Sequence, residues 1–281
     1  MRIALTGAAG FTGRHFIEAA QRAGHDVVEL ESDLTDRAAL EAETRPLEAD
    51  AAVHLAAISF VGHADARAFY DVNLFGTLNL LGALSKAGRP LQRILLASSA
   101  NVYGNSPHSP IAESEPPAPV NHYAMSKLAM EMMARSHFPQ LPVVIARPFN
   151  YTGPGQPVEF VVPKLVDHFR RRAPQVTLGN LHVEREYNDV RFVCEAYLRL
   201  LEAGAPESVY NICTGTAYDF NTVLALLRGL TGHDIEVQVD PKLVRPNEVH
   251  RLCGDPSRLQ QVVGASAHYR LEDTLRWMLA A

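Results

Sequence analysis

The first 23 residues constrain the fold most strongly, because a strand, a glycine-rich turn and a helix follow one another there. Residues 1–6 form an apolar stretch suited to a buried strand, and residues 14–23 place apolar side chains on one face of a helix. Between them lies the sequence Gly-Ala-Ala-Gly-Phe-Thr-Gly, residues 7–13. This order is the context that a dinucleotide-binding fingerprint requires, although a structural turn without a ligand has the same order.

The three glycines of this turn have separate physical tasks. Gly7 permits a tight turn, and Gly10 lets the backbone approach a pyrophosphate held by amides at the helix N-terminus. Gly13 lets the helix pack closely against the strand. Their spacing is Gly-x-x-Gly-x-x-Gly, which differs from the Gly-x-Gly-x-x-Gly of ordinary dehydrogenases.

Strand-like and helix-like segments alternate through the first half of the chain. Further strands are predicted at residues 27–30, 51–56, 93–97 and 143–146, and long helices at 66–87 and 123–137. This alternation predicts an α/β fold, a Rossmann-type doubly wound parallel sheet with helices on both faces. Ligands of such sheets bind beyond the carboxyl ends of the strands.

The composition changes after about residue 150, where glycine and proline become frequent. We therefore predict a dinucleotide-binding domain at residues 1–165, to which residues 190–215 return. Residues 166–189 and 216–281 are predicted to form a smaller C-terminal substrate-binding domain. The segment 105–122 holds five prolines. Long loops inside a compact domain are usually functional or disordered, so we expect this one to form a rim of the active site.

Charge and cysteine content narrow the function classes. A chain of 281 residues with a formal net charge of -5 gives no reason to expect a nucleic-acid or membrane partner. Its three cysteines lack the spacing of metal ligands, so no metal site is predicted and free thiols in a reducing compartment are expected. No apolar run reaches membrane-spanning length, and the fold begins too near Met1 to leave room for a signal peptide. The expected location is the cytoplasm.

Tyr123 and Lys127 form the clearest catalytic pattern. Four residues apart, they share one face of a predicted helix. A nearby ammonium stabilises a phenolate, so we expect Lys127 to lower the pKa of Tyr123 and let it exchange a proton with a sugar oxygen. Ser98 and Ser99 end a predicted strand, where a hydroxyl can hold a substrate carbonyl. An ordinary surface helix and a strand-end serine bonded to backbone are the alternatives.

Together these motifs resemble the extended short-chain dehydrogenases/reductases, a family of sugar-nucleotide epimerases, dehydratases and reductases. The resemblance runs from end to end of the chain. The matching positions are Gly7, Gly10 and Gly13, Asp33-Leu34, His54-Leu-Ala-Ala57, Asn73, Ser98-Ser-Ala-Asn-Val-Tyr-Gly104, Tyr123 with Lys127, and Arg147-Pro-Phe-Asn150.

The resemblance implies roles for individual residues. It selects Ser99 over Ser98 as catalytic, together with Tyr123 and Lys127, and Lys127 would also hold the nicotinamide ribose. Asn73 would have a supporting role only. The residues implied to contact the cofactor are Gly7, Gly10, Phe11, Thr12, Gly13, Asp33, Leu34, Leu55, Ala56, Ala57, Tyr123 and Lys127.

The choice of cofactor depends on the end of the second predicted strand. A carboxylate there bonds the adenosine ribose and repels a 2′-phosphate, which favours NAD. Glu31 is the best candidate and Asp33 the next, although either acid can equally be a solvated turn residue. Arg14 could instead meet a phosphate, so NADP stays possible.

The second half of the chain indicates the substrate. Residues 178–190 and 245–255 resemble segments that surround the nucleotide in GDP-mannose dehydratases and their reductase relatives. Arg185 and Arg245 would bind the diphosphate, because a guanidinium can contact phosphate at two points, and Glu248 would accept bonds from ribose hydroxyls. The remaining candidates for substrate contact are Ser59, Asn101, Asn150 and Asn180.

One position distinguishes a dehydratase from a reductase. Dehydratases of this family place Glu two residues after the catalytic Ser or Thr, whereas this chain has Asn101, and an amide cannot do acid–base work. The sequence therefore favours an oxidoreductase that reduces the C4 keto group of GDP-4-keto-6-deoxy-D-mannose to GDP-D-rhamnose or its C4 epimer. A nucleotide-sugar 4-epimerase and a non-catalytic NAD(P)-binding regulator remain alternatives.

Finally, a homodimer is expected. In this family two long helices commonly pair with their copies, here the segments 66–87 and 123–137. Met125, Met130, Met132 and Met133 are candidates for that seam or for simple core packing.

Overall fold

The computed structural model describes residues 1–244, 248–264 and 269–281. Strands in chain order are β1 (Arg2–Thr6), β2 (Asp26–Leu30), β3 (Ala51–His54), β4 (Arg93–Ala97), β5 (Val143–Pro148), β6 (Tyr151–Thr152), β7 (Gln175–Leu178), β8 (Glu184–Glu186), β9 (Asn188–Asp189), β10 (Val209–Ile212), β11 (Ala217–Asp219), β12 (Glu236–Val239) and β13 (Arg251–Leu252). Helices are α1 (Phe11–Arg22), α2 (Arg37–Thr44), α3 (Ala66–Phe69), α4 (Thr77–Leu84), α5 (His122–Ala134), α6 (Val161–Arg170), α7 (Val190–Ala203), α8 (Phe220–Thr231), α9 (Ser257–Val263) and α10 (Leu271–Ala280).

The main sheet lies within residues 1–244 and has the strand order β2-β1-β3-β4-β5-β10. Its neighbouring strands all pair in parallel. Every residue of β5 is buried, as expected for a strand covered on both faces. The α/β, Rossmann-type doubly wound sheet predicted from the sequence is confirmed.

Alternate residues of each strand pack against different helices, because successive side chains point to opposite faces of a sheet. Ile3 and Leu5 belong to one core cluster, which includes residues of α1 and α7. Ile94 and Leu96 belong to a second cluster, which includes residues of α2, α4 and α5. Residues 190–215 thus supply a covering helix, α7, and a sheet strand, β10.

The predicted helix at residues 66–87 is confirmed over 66–84, with a π-helical middle, and is wrong only at its end. A π-helical turn at Tyr70–Gly76 separates α3 from α4, and α4 ends at Leu84. Inside this turn the Asn73 side chain accepts from the Ile58 amide at 2.9 Å and donates to the Ile58 carbonyl at 3.0 Å. π-turns often lie at functional sites, and here the wider turn carries an amide that holds the loop after β3.

The C-terminal part of the chain builds smaller sheets and its own core. Strand β7 pairs with β12, and β8 pairs with β11 and β13. Helices α6, α8 and α10 share the apolar cluster around Phe169, Val223 and Leu275. The division of the chain into two domains at residues 165, 190 and 215 stays a prediction.

Candidate active site

A cleft of about 560 Å³ lies beyond the carboxyl ends of the main strands. The first part of the chain lines it with residues that follow β1, β3 and β5. Later residues from the loops around β7, β8 and β13 complete the lining. The candidate residues among its lining are Gly7, Gly10, Phe11, Thr12, Gly13, Leu55, Ala57, Ser59, Asn101, Tyr123, Asn150, Asn180, Arg185 and Glu248.

The glycine turn forms a cradle that side chains would fill. Gly7 has φ +75°, and a Cβ added to it would lie 2.6 Å from the Ala56 nitrogen. A Cβ on Gly13 would lie 2.1 Å from the Gly7 carbonyl oxygen. Helix α1 begins at Phe11 directly after Gly10, so its first amides face the cleft. These residues fit the pyrophosphate of a dinucleotide.

Tyr151 supports this turn and was not found by the sequence reasoning. Its hydroxyl lies 2.8 Å from Thr12 Oγ1, and its ring stacks on Phe11 with ring centroids 6.0 Å apart. It lies next to Asn150 in the chain, which is the one signal that could have pointed to it. Tyr151 therefore joins the glycine turn to the segment after β5.

The end of β2 places the two candidate ribose ligands differently. The Glu31 amide donates to Glu43 Oε1 at 2.8 Å, and Glu31 itself is exposed. Asp33 Oδ1 accepts from both the amide and the hydroxyl of Thr35 at 2.8 Å, and these bonds lower the pKa of Asp33. Leu34 is buried against Gly76. Both acids are exposed, but the Asp33 carboxylate is committed to a local turn.

The structure brings Ser99, Tyr123 and Lys127 together. Asn121 caps α5 by accepting from the Ala124 amide at 2.9 Å, which sets Tyr123 in the first turn of that helix. Tyr123 forms a side-chain hydrogen bond with Ser99, which follows β4. One turn further along α5, Lys127 Nζ donates to the Ala97 carbonyl at 2.8 Å.

The pKa of Tyr123 lies above its ordinary value, so the lowering expected from Lys127 does not prevail. Burial raises the pKa of Tyr123 above its ordinary value, and the bond with Ser99 opposes this only in part. The Lys127 ammonium is directed at the Ala97 carbonyl, and burial lowers the pKa of Lys127 to about 8. Tyr123 therefore carries its proton at neutral pH, which is the form that a proton donor needs, although burial makes it a weaker acid than a free phenol.

Asn101 holds the side chain of Ser99. It occupies the position at which dehydratases of this family have a glutamate. Asn101 donates to Ser99 Oγ from its backbone amide at 3.2 Å and from Nδ2 at 3.1 Å. Both bonds leave the Ser99 proton available to a carbonyl oxygen or to Tyr123. Asn101 also lines the cleft.

Two buried polar residues hold the strands beneath the site. His54 contacts Thr6 Oγ1 at 2.6 Å and Thr77 Oγ1 at 2.9 Å, and burial lowers the pKa of His54 to about 3, so the ring is neutral. Asn73 joins the Ile58 backbone to Ser126, whose hydroxyl donates to the Tyr123 carbonyl at 2.8 Å. Asn73 therefore holds the loop after β3 against the catalytic helix.

Arg185 and Glu248, both predicted as substrate ligands, contact each other. Arg185 Nη2 donates to Glu248 Oε1 at 2.7 Å and to the Val249 carbonyl, and Nη1 donates to the Glu184 carbonyl at 2.9 Å. The guanidinium therefore also fixes the segment that carries Glu248. Arg245 lies outside the described residues.

The predicted rim at residues 105–122 supports the cleft indirectly. Among the cleft-lining residues in the described part of the chain, none belongs to this loop. Instead, Asn105 Nδ2 donates to the Glu248 carbonyl at 3.3 Å, and Ile111 is buried, with its amide donating to the Cys253 carbonyl at 2.8 Å. The loop thus packs behind the segment that bears Glu248.

Lys164 is a further cleft-lining residue that sequence reasoning missed. It lies in the first turn of α6 and donates to the Thr177 carbonyl at 2.6 Å. In the sequence it interrupts the apolar run Val-Val-Pro-Lys-Leu-Val, which was the available signal. Phe60 and Phe160, with ring centroids 5.9 Å apart, add an apolar wall to the same cleft.

Fold and site together define an NAD(P)-dependent enzyme of the extended short-chain dehydrogenase/reductase class. A family model described as GDP-mannose 4,6 dehydratase matches residues 29–278. The chain therefore belongs to this family.

Relatives of known name cover almost the whole chain. GDP-6-deoxy-D-talose 4-dehydrogenase of Aggregatibacter actinomycetemcomitans is 33% identical, over 94% of this chain and 92% of the relative. GDP-6-deoxy-D-mannose reductase of Pseudomonas aeruginosa is 34% identical, over 99% of this chain and 96% of the relative.

Solved structures similar to this one also cover almost the whole chain. The structure of RMD from Pseudomonas aeruginosa with NADPH has a TM-score of 0.91 and 33% identity, covering 99% of this chain and 97% of that one. A structure from Burkholderia cenocepacia J2315, assigned as an epimerase, has a TM-score of 0.93 and 44% identity, covering 100% of this chain and 97% of that one. Structures of this family hold NADPH or NAD.

Proposed function

We propose that this enzyme reduces the C4 keto group of a nucleotide-linked 4-keto-6-deoxyhexose. The substrate would be GDP-4-keto-6-deoxy-D-mannose, and the product GDP-D-rhamnose or its C4 epimer. The observation that carries the proposal is the convergence of Ser99, Tyr123 and Lys127 beside a glycine cradle, in a cleft where Asn101 stands in place of a carboxylate. The two named relatives act on GDP-linked 6-deoxy sugars, which supports this substrate class.

The chain's own residues would bind and protonate the oxygen of the substrate carbonyl. When bound, NAD(P)H supplies the hydride to C4. Ser99 would donate a hydrogen bond to the carbonyl oxygen, and Tyr123 would give its proton to the developing alkoxide. Lys127 would hold a positive charge close to the reacting groups and contact the nicotinamide ribose.

The cofactor-binding residues proposed for NAD(P) are those of the cradle and of the loop after β3. Gly7, Gly10 and Gly13 would leave room for the pyrophosphate, with Phe11 and Thr12 supplying amides. NAD is favoured over NADP, because Glu31 is an exposed acid at the end of β2 and would repel a 2′-phosphate.

The nucleotide sugar would bind between the C-terminal loops and Tyr123. Lys164 and Arg185 place two cations in the lining, which suits a diphosphate. Since Arg185 already donates to Glu248, the diphosphate would take over part of these contacts while Glu248 turns to ribose hydroxyls. Ser59, Asn150 and Asn180 would supply further polar contacts, and Arg245 is retained as a proposed ligand.

A 4-epimerase is the second candidate, favoured by the UDP-glucose 4-epimerases among the relatives of this chain. An epimerase keeps its cofactor and consumes none overall. A non-catalytic regulator would have no need for the buried Ser99–Tyr123–Lys127 arrangement.

Turnover assays separate these candidates. We expect purified enzyme to oxidise NADH or NADPH in a one-to-one ratio with GDP-4-keto-6-deoxy-D-mannose, and more slowly with dTDP- or UDP-linked keto sugars. Faster turnover with NADH would support the role of Glu31. Interconversion of C4 epimers without net oxidation, together with NAD+ retained through purification, would establish the epimerase instead. No reaction with any keto sugar would overturn the reductase, and no interconversion of C4 epimers would overturn the epimerase.

We also propose a homodimer. Met125, Met132 and Met133 on α5 are 41%, 47% and 49% exposed, and Phe75 in the π-turn is 55% exposed. These exposed apolar side chains lie on the two predicted seam segments, and exposed apolar surface of this kind often marks an interaction site. Met130 is fully buried in the core, so for this residue the alternative of core packing holds.

If this surface is the dimer seam, a charged residue placed in it should weaken the dimer. Met133→Glu, alone or with Met125→Glu, should shift the protein from dimer to monomer, because a buried carboxylate without a partner is unfavourable. Analytical ultracentrifugation measures this shift. Val239→Glu is the control, since Val239 is 51% exposed on β12 in the C-terminal part. A Met133→Glu, Met125→Glu protein that still sediments as a dimer would exclude this surface.

The enzyme is proposed to be cytoplasmic. Cys194, Cys213 and Cys253 are all buried free thiols, which is typical of a reducing compartment. In the described ranges, the structure has no helix with the length and apolarity needed to cross a membrane.

A further inference from the structure

The face of α5 that carries Tyr123 and Lys127 continues to a third polar residue, Glu131. The three positions are four residues apart, so they lie along one side of the helix. All three are buried, and Glu131 has no exposed surface. Burial strongly disfavours an ionised carboxylate unless it is paired and hydrogen-bonded.

Glu131 has such a partner in Arg147 of β5. Arg147 Nε donates to Glu131 Oε1 at 2.9 Å, and Nη2 donates to Oε2 at 2.6 Å. The remaining Arg147 nitrogen, Nη1, donates to the Tyr103 hydroxyl at 2.9 Å. A two-point contact with a guanidinium holds a carboxylate both ionised and fixed in orientation.

The same helix face is bonded to three consecutive residues at the end of β4. Lys127 donates to the Ala97 carbonyl, and Ser98 Oγ donates to Glu131 Oε1. The third pair is Ser99 with Tyr123. The contact of Ser98 with Glu131 therefore sets the register between the catalytic serine and the catalytic helix.

We propose that Glu131, fixed by its two-point contact with Arg147, is a positioning residue that favours the Lys127 ammonium on the same helix face and holds it against the end of β4. This inference rests on the role proposed above for Lys127 in the reductase site. It also gives Ser98 a function, as the hydroxyl that ties the strand end to Glu131.

The charges around Lys127 agree with this role. Burial lowers the pKa of Lys127, and the Glu131 carboxylate acts in the opposite direction. His54 on β3 also interacts with Lys127, but its lowered pKa leaves it neutral at pH 7. Tyr123 on α5 is neutral there too, because its pKa is raised. Glu131 is therefore the group that favours the ammonium.

The chain has four lysines, Lys86, Lys127, Lys164 and Lys242, so each can be followed separately. We would label lysine with ¹³C, assign each ε-methylene NMR signal by a Lys→Arg substitution, and titrate the Lys127 signal with pH. The parent midpoint should lie below the ordinary lysine value, because burial lowers the pKa of Lys127 to about 8. In Glu131→Gln we expect the midpoint to fall by about one pH unit or more, because a nearby unit charge is lost.

Two controls separate charge from packing. Tyr103→Phe removes a hydrogen bond to the Arg147 side of the pair but no charge, and Glu202→Gln removes the same charge as Glu131→Gln at a site that is 41% exposed. Both should leave the midpoint in place. Should Glu131→Gln fail to fold because Arg147 is left unpaired, Glu131→Gln with Arg147→Met removes both charges and should still lower the midpoint.

Either of two results overturns the inference: a folded variant without Glu131 whose Lys127 midpoint is unchanged, or a parent midpoint below about pH 7, where the ammonium is already lost. The titration uses neither sugar nor cofactor. An unchanged midpoint would therefore leave the reductase proposal standing, whereas failure of every keto sugar in turnover would end that proposal without moving the midpoint.

Discussion

Tyr123→Phe should lower the turnover number about a hundred- to ten-thousandfold, the usual range for a lost acid–base group, while NAD(P)H binding is kept. The substitution removes one buried hydroxyl, which bonds Ser99 and whose raised pKa keeps its proton at neutral pH. Phenylalanine fills almost the same volume, so the cleft and the glycine cradle should be unaltered. Steady-state kinetics with the GDP-linked keto sugar, alongside NAD(P)H fluorescence titration, measure the two effects separately.

Tyr197→Phe is a matched control for this experiment. Tyr197 is also fully buried, in the core beneath the sheet, and among the described residues its hydroxyl is one of the buried polar atoms with no hydrogen-bond partner. Losing that hydroxyl should leave turnover unchanged and cost no stability. Near-normal turnover in Tyr123→Phe would remove Tyr123 as the proton donor and leave Ser99 or a solvent molecule in that role.

The sequence predicts the sheet well for a physical reason. Parallel strands are covered on both faces, so they read as short apolar runs, and β4 lies at residues 93–97 as predicted. The helix at 66–87 shows where local pattern fails. Its apolar spacing is helical throughout and does not mark the π-helical segment Tyr70–Gly76, inside which Asn73 bonds the backbone of Ile58, 15 positions earlier in the chain.

The catalytic residues Ser99, Tyr123 and Lys127 could be predicted from the sequence, because Tyr123 and Lys127 lie four positions apart on one helix. The shift in the pKa of Tyr123 could not be predicted, because its direction depends on burial, which is a property of the whole packed site. Tyr151 and Lys164 were missed for a related reason. Tyr151 acts on Thr12, 139 positions earlier in the chain, and no local pattern records such a contact.

Spacing on one helix could not distinguish core from surface methionines. Met130 and Met133 are three residues apart, which is compatible with a shared face, yet one is fully buried and the other is 49% exposed. The helix lies against the sheet on one side only, and the orientation of α5 is set by Lys127 and Glu131 contacting the end of β4.

Gly13→Ala should abolish most NAD(P)H binding, with a dissociation constant raised on the order of a hundredfold. The added Cβ would lie 2.1 Å from the Gly7 carbonyl oxygen and 2.6 Å from the Ala8 carbonyl oxygen. Both are backbone atoms of the cradle, so relief requires the turn itself to move away from the position that receives the pyrophosphate. Overpacking of this kind typically costs about 1–3 kcal/mol, and a hundredfold loss of affinity corresponds to about 2.7 kcal/mol.

Gly82→Ala distinguishes a damaged cradle from a general effect of adding a methyl group. Gly82 lies inside α4, where an added Cβ has no atom within 4 Å, and alanine favours helix by roughly 1 kcal/mol. This variant should melt at the same or a higher temperature and bind NAD(P)H like the parent. Fluorescence titration and thermal melts of both variants decide the matter. The new methyl group must displace the backbone of the turn at residues 7–13, and a dinucleotide bound to those amides would then bind more weakly. If folded Gly13→Ala binds NAD(P)H as tightly as Gly82→Ala does, this turn does not hold the pyrophosphate.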